Sequence, residues 1–470
     1  MRCSPAEAND GGVLASGAGK CGGGGCLPLR VMGRAELRRA EPPEPMGNGY
    51  REHSHYRPTK ASEHCLREAG AAVIQSGSHL FDPIKRAGGL VPAPSARRSP
   101  PQMPESLEIL AIEPFYAGNR RLMLESLHRR SRHRWTMLKL PGRRIERRLE
   151  AAAQWFAEVI LRKPQFNFDL LFTSEAINLP ELYQLCPEIG GKPTVVYFHD
   201  NQLPVPGRGV ERPVDHVNML TAVEASEIWF NSLHHLRTFT GRAAALTVAA
   251  PHYFNRQALD SVTSRCVLVQ PPVEVNAVHE IETAAGFQRD PRTIFVDLRN
   301  ADTRLLSAGL EVLRRRGETF SLVTIGPRGD LPDSLPRTSL PEFDEDGATF
   351  SMASCGVYLS THLDASFDAR AVMALASGMR AVLPDTAAYP EIVPPHFHDS
   401  TLYKPHPDFL ASAIQDLWAL PELSGWDDEL HAGVSHYEAA SVVNTMDWKL
   451  STLHQKFHAA QTGVPGVGET

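Results

Sequence analysis

From Leu107 onward the chain repeats one short grammar, and it does so in two series: a brief apolar run, a loop rich in glycine or polar side chains, then a segment with helical spacing. LEILAIE opens the first series, followed by a loop with Gly118 and by RRLMLESLHRR, in which Leu122, Met123, Ser126 and Leu127 fall at helical spacing. FDLLFTS, PTVVYFHD, IWFNS and CVLVQPPV continue it, with helices expected at 179–185 and from about residue 233. TIFVDL, FSLVTIG, GVYLS and RAVLP form the second series, with helices expected over 303–315, 345–352 and 369–377. Strands this apolar are buried on both faces, which requires parallel sheets covered by helices. The fold class is therefore α/β, with two Rossmann-like domains over 105–278 and 279–425. A helical segment over 426–470, with Trp448 embedded, would return to the first domain. Ligands of such sheets sit beyond the carboxyl ends of the strands, so two sheets facing each other place the working site in a central cleft.

The first 104 residues do not share this grammar. They carry GAGKCGGGG, EPPEP and VPAPSARRSPPQMP and no sustained periodicity, a composition that cannot bury enough apolar surface to offset chain entropy. GAGK is not a P-loop, because Leu14 stands at the first glycine position and Cys21 at the magnesium-binding Ser/Thr. The segment reads as an extension without a packed core, or as upstream sequence with Met103 as an alternative start. Cys3, Cys21, Cys26 and Cys65 lie in the first 104 residues, and Cys186, Cys266 and Cys355 are scattered singly, a pattern of neither a disulfide framework nor a zinc site. No metal is expected. No run approaches the ~18 apolar residues of a membrane span and no secretory pattern opens the chain, so a cytoplasmic protein with no membrane partner is expected.

The formal net charge of −6 argues against a molecule basic overall, yet residues 120–148 run RR, HRRSRHR and GRRIERR with few acids between. With Trp135 interleaved, that run fits contact with RNA through phosphate neutralisation and base stacking.

Chemistry-bearing residues gather at the expected strand ends. EPFYAGNRR brings Gly118, where backbone can approach a ligand closely, and SEAINLPEL brings Ser174, Glu175 and Asn178, the last also suited to capping a helix. VVYFHDNQL sets His199, Asp200, Asn201 and Gln202 in succession after an apolar strand, a density of donors and acceptors suited to a polyhydroxylated ligand. In the second series, Arg299 and Arg304 stand five residues apart around a strand-to-helix turn, where two guanidinium groups would hold a diphosphate. Gly326 and Arg328 follow the next strand, and Tyr389, Pro390 and Glu391 the last.

EPFYAGNRRLMLESL, FTSEAINLPEL, YFHDNQL, FNS and YPEI, in this order, resemble the tRNA-queuosine mannosyltransferase family over about residues 107–457, most strongly in the first domain. The resemblance implies a GT-B fold, GDP-mannose as donor, queuosine in a tRNA as acceptor, and retention of the α configuration without an essential metal or cofactor. It places Gly118 in the glycine loop, His199, Asp200, Asn201 and Gln202 in the H-E/D-N-Q loop, Arg299 in the second-domain Arg/Lys pair and Glu391 in Y-P-E-I. His199, Asp200, Arg299 and Arg304 are thus the expected catalytic residues, and Gly118, Asn201, Gln202, Gly326, Arg328 and Glu391 the expected donor contacts. Arg304 stands where related transferases have Lys. Where the family has a Glu before Phe-Gly and another Glu eight positions later, this chain has Ala365 and Met373, with Asp368 in place of the Gly. Two rivals follow from that departure: a GT-B protein that binds tRNA or nucleotide-sugar without turnover, and a transferase with another acceptor.

Overall fold

The computed structural model describes residues 106–162, 167–206, 213–252, 254–327, 329, 331–420 and 427–462. The readings made for residues 1–104 and for Arg328 lie outside the described residues.

In the first domain, β1 (Glu108–Tyr116), β2 (Arg134–Pro141), β3 (Leu170–Ser174), β4 (Thr194–Phe198), β5 (Glu227–Phe230) and β6 (Cys266–Leu268) form one sheet in the order β2-β1-β3-β4-β5-β6. Every pair in it is parallel. In the second, β7 (Asp290–Asp297), β8 (Ser321–Ile325), β9 (Arg337–Leu340), β10 (Cys355–Leu359), β11 (Arg380–Pro384) and β12 (Leu402–Tyr403) are ordered β12-β11-β10-β7-β8-β9, again all parallel. β3, β4 and β10 are buried along their whole length, as their unbroken apolar and β-branched sequences require. The strand order reverses between β1 and β3 and again between β7 and β10. Each reversal opens a crevice at the carboxyl ends of those two strands, because the connections leave in opposite directions.

Short polar side chains start the helices that follow the strands. Asn178 accepts the Glu181 N–H, Ser232 the His235 N–H, and Asp302 the Arg304 and Leu305 N–H groups, each satisfying donors that have no partner within the helix.

The expected role of Trp135 does not hold. Residues 134–141 are the edge strand β2, and Trp135 is only 9% exposed, packed edge-on against Phe172 with ring centroids 5.3 Å apart. Exposed Arg134, Thr136 and Lys139 on this edge strand hid it among the basic residues. Trp135 is therefore a core residue and offers no face to a base.

Helix Ala439–Thr462 lays Val442, Val443, Met446, Leu450 and Leu453 into the same core as Ile109, Leu127 and Trp135 of the first domain. Burying five such side chains is worth on the order of 10 kcal/mol before chain entropy is subtracted. The Asp447 carboxylate fixes the register by accepting the Ser131 hydroxyl at 2.6 Å and the Arg132 N–H at 2.9 Å. Val273, Val275 and Val278 already pack in the core of the second domain.

Candidate active site

The two crevices meet. A cavity of about 250 Å³ is lined from the first domain by Gly118, Arg120, His199, Asp200 and Gln202, and from the second by Asp297, Arg299, Asn300, His362, Asp368 and Arg370. A smaller one of about 180 Å³ is lined by Asn201, His234, His235, Thr238, Arg242 and Asp364 and shares Asp200, Gln202, Asn300 and His362 with its neighbour. Polar contacts hold the domains together around both. The Asn119 amide donates to the Phe367 carbonyl at 2.9 Å, the Ser232 hydroxyl to the Ser366 carbonyl at 2.7 Å, and the Gly118 N–H to Glu345 Oε1 at 2.9 Å.

On the first-domain side the floor is a buried charge network. Arg120, one turn into helix Gly118–Arg130, pairs with Glu175 at the end of β3 and reaches Asp200 at 3.1 Å. Glu175 in turn accepts the backbone N–H groups of His199 and Asp200, both at 3.1 Å, so three strand ends are tied to one carboxylate. Burial pushes the Asp200 carboxyl up, but Arg120, with His362 and His235, more than offsets it and leaves Asp200 below the ordinary carboxylate range. For Glu113, within β1, burial wins instead and raises its pKa to about 7 despite Arg120.

Two buried histidines complete this wall. Burial, with the Arg120 charge next, holds the His199 imidazole neutral, and its Nε2 is enclosed without a hydrogen-bond partner among the described residues. His235 Nδ1 lies 2.8 Å from Asn231 Oδ1, and the Asn231 amide is oriented by donating to the His199 carbonyl at 3.0 Å. His235 Nδ1 must therefore carry the proton, which leaves Nε2 as a bare acceptor. That atom too is buried and unpartnered among the described residues, and burial lowers the pKa of the ring to about 3.

On the second-domain side, Arg299 and Arg370 face Asp297 and Glu345 in a compact square. Arg299 pairs with both carboxylates, Arg370 pairs with Glu345, and Arg370 Nε lies 3.4 Å from Asp297. Burial raises the Asp297 and Glu345 carboxyls, but the two guanidinium groups outweigh it and hold both below the ordinary value. The charges of the square cancel in pairs. Asp368 caps helix Ala369–Ala376 and accepts the Tyr358 and Tyr389 hydroxyls at 2.8 and 3.0 Å.

Of the residues expected from sequence, Gly118, His199, Asp200, Gln202 and Arg299 line the larger cavity and Asn201 the smaller. Gly118 has φ +53°. Gly326 has φ +106° and packs on Arg299 itself: a Cβ there would come within 2.8 Å of Arg299 Cγ, so this glycine makes room for the arginine instead of lining the cavity. Arg304 is exposed at the first turn of helix Thr303–Arg315 and lines neither cavity. Glu391 accepts the N–H groups of Leu233 and His234 at 2.8 and 2.6 Å, capping a first-domain helix from the second domain. Ala365 and Met373 are 0% and 3% exposed and belong to an apolar core. Sequence reading did not single out Arg120, Asp297, Glu345, Arg370, His235, Asn300 or His362. A charged residue inside an otherwise apolar strand or helix, such as Arg370 in ARAVMALA, was the one available signal.

Residues 108–273 match the family model described as tRNA-queuosine alpha-mannosyltransferase N-terminal. The tRNA-queuosine alpha-mannosyltransferase of Drosophila melanogaster is 28% identical over 169 residues, which are 35% of this chain and 44% of that protein. The match thus spans less than half the length of that curated relative. Among solved structures, a UDP-forming alpha,alpha-trehalose-phosphate synthase from Burkholderia xenovorans superposes with a TM-score of 0.51 at 13% identity, over 74% of this chain and 99% of that one. The catalytic domain of starch synthase IV from Arabidopsis thaliana, bound to ADP and acarbose, does so with a TM-score of 0.50 at 8% identity, over 75% and 99%. These likenesses carry the architecture. The fold is GT-B, and the resemblance read from the loops holds in the first domain, where residues 108–273 match the N-terminal domain of the tRNA-queuosine alpha-mannosyltransferases.

Proposed function

We propose that this chain is a retaining glycosyltransferase that moves mannose from GDP-mannose onto queuosine in tRNA. What supports this most is one coincidence: the stretch that matches the family model carries the loops, Gly118 and His199 to Gln202, that line the interdomain cavities. On this reading the larger cavity takes the sugar nucleotide, with Arg299, released from Glu345 or Asp297, against the diphosphate and Arg304 turning in from solvent. Asp200, Gln202, Asn300 and His362, common to both cavities, surround the transferred sugar. The bond from the anomeric carbon to the diphosphate oxygen breaks with its electron pair leaving on that oxygen, a bond from the carbon to a queuosine hydroxyl oxygen forms, and the hydroxyl proton passes to the departing diphosphate. Positive charge held at the diphosphate stabilises the departing group, an effect of the kind that supplies ~10²–10³-fold in rate per preorganised group. The neutral Nε2 of His235 is an acceptor available to the hydroxyl that enters the smaller cavity.

A second reading has its own observation. Ala365 and Met373 stand in an apolar core, and Arg299 is already neutralised by two carboxylates, as in a GT-B protein that binds without turnover. Release of GDP from GDP-mannose, followed with and without queuosine-containing tRNA, separates the two. Release that depends on the modified tRNA supports transfer. No release while tRNA still binds sinks the transferase reading and leaves the binding protein.

A further inference from the structure

The basic run contains ten arginines between residues 120 and 148, and the structure sorts them. Arg120, Arg121, Arg129, Arg130 and Arg134 hold carboxylates, Arg132 bonds the Asp447 carbonyl and Ser451 hydroxyl, and Arg148 bonds the Pro141 carbonyl. The side chains of Arg143, Arg144 and Arg147 make no hydrogen bond or ion pair among the described residues, and all three are exposed. They also stand beside the cavity that Arg120 lines. Gly142 and Ile145, interleaved with them, line its wall, and Arg143 stacks over Phe343, a second-domain lining residue, at 5.4 Å.

Arg144 holds φ +53°, a left-handed backbone that costs a non-glycine residue on the order of 1 kcal/mol or more. Helix Ile145–Leu161 then runs from the cavity mouth, and its exposed face carries Arg147, Ala151 and Trp155, the last 43% exposed. Three cations without an ion pair among the described residues at a cavity mouth, continued by an exposed aromatic ring on a helix face that also carries Glu150 and Glu158, combine the two elements that single-stranded nucleic acid needs: charge along the phosphates and a surface for a base.

We propose that Arg143, Arg144 and Arg147 grip the phosphates flanking the RNA nucleotide that enters the cavity, and that Trp155 stacks on a neighbouring unpaired base. The identity of the partner rests on the transferase reading above; the surface does not. The test uses full-length protein, no donor, and a fluorescent tRNA transcript that lacks queuosine, with affinity read by anisotropy across a salt series. R144E/R147E is expected to bind at least tenfold more weakly and to flatten the salt dependence by about 1.5 logarithmic units per decade, the loss of two phosphate contacts. W155A is expected to weaken binding about tenfold with an unchanged salt slope. R315E, at the end of a second-domain helix, is the control for general charge and should bind as wild type, and R144A/R147A, checked by thermal melting, guards against misfolding. Wild-type affinity in R144E/R147E, no binding by the wild type, or an equal loss for a DNA duplex of equal length would overturn the proposal. Failure of sugar transfer alone would leave it standing, since no step of the test uses transfer.

Discussion

Arg120 joins two carboxylates from different strand ends, pairing with Glu175 and lying 3.1 Å from Asp200. Glu175 is wholly enclosed and also anchors the backbone of His199 and Asp200, so this one arginine sets the shape of the loop that lines both cavities.

Arg120→Met should therefore cost about 3–5 kcal/mol in urea unfolding, because it leaves the buried Glu175 carboxylate uncompensated. R120M/E175M removes both charges and should recover much of that loss. Additive losses in the double variant would show that the pair is not coupled.

On the proposed function, Glu345, paired with Arg299, would compete with the donor diphosphate for that guanidinium. Glu345→Gln should lower unfolding stability by about 3 kcal/mol, since Arg370 loses its buried partner. The same change should tighten GDP binding by about tenfold in calorimetry, because Arg299 is freed of one of its two anions. Weaker GDP binding would mean that Glu345 positions Arg299 instead of competing for it.

Glu113 gives a pH signature with a definite sign. Its folded pKa of about 7 lies above the ordinary carboxylate value, so the folded state binds more protons than the unfolded state between about pH 4.5 and 7. Its contribution to stability is present below that window and is lost as pH rises through 7, by up to a few kcal/mol. Asp297 and Glu345, held low, act oppositely: their contribution is present above the ordinary carboxylate pKa and lost as pH falls through the lower folded values. Glu113→Gln should flatten the decline between pH 5 and 8 and leave the acid limb intact. The measurement is urea unfolding at stepped pH.

The alternation of apolar runs and helical spacing was enough to read nine of the twelve strands, because strands such as TVVYF and CGVYL are buried on both faces, while the short edge strands β9 and β12 went unread along with β2. β2 was illegible for the opposite reason: on an edge strand Arg134, Thr136 and Lys139 meet solvent and hide it among the basic residues. Within the site, His199 to Gln202 and Arg299 were readable as polar runs after a strand, while Asp297, Asn300 and His362, also at strand ends, were not singled out. Residues that reach the site from elsewhere in sequence were not readable either, since Glu345 meets Arg299 from 46 positions away and Arg370 joins them from the first turn of helix Ala369–Ala376. Glu391 and Gly326 were read as ligand contacts, and the structure places one as a helix cap between domains and the other beneath Arg299.

His235→Ala should reduce transfer by roughly tenfold if its bare Nε2 accepts a hydrogen bond from the acceptor hydroxyl and aims it, with little change in donor affinity. Because burial lowers its pKa to about 3, His235 stays neutral across the working range, so the wild-type rate should show no imidazole titration between pH 5.5 and 8. An acidic limb near pH 6.5 that vanishes in H235A would contradict the buried, neutral ring.

The central claim is transfer of a hexose to queuosine in tRNA. Purified protein should be incubated with GDP-mannose and queuosine-containing tRNA, the RNA digested to nucleosides, and the digest analysed by mass spectrometry. Queuosine carrying one added hexose is expected, absent with D200N or R299A. Unmodified queuosine after prolonged incubation, with tRNA binding intact, would contradict it.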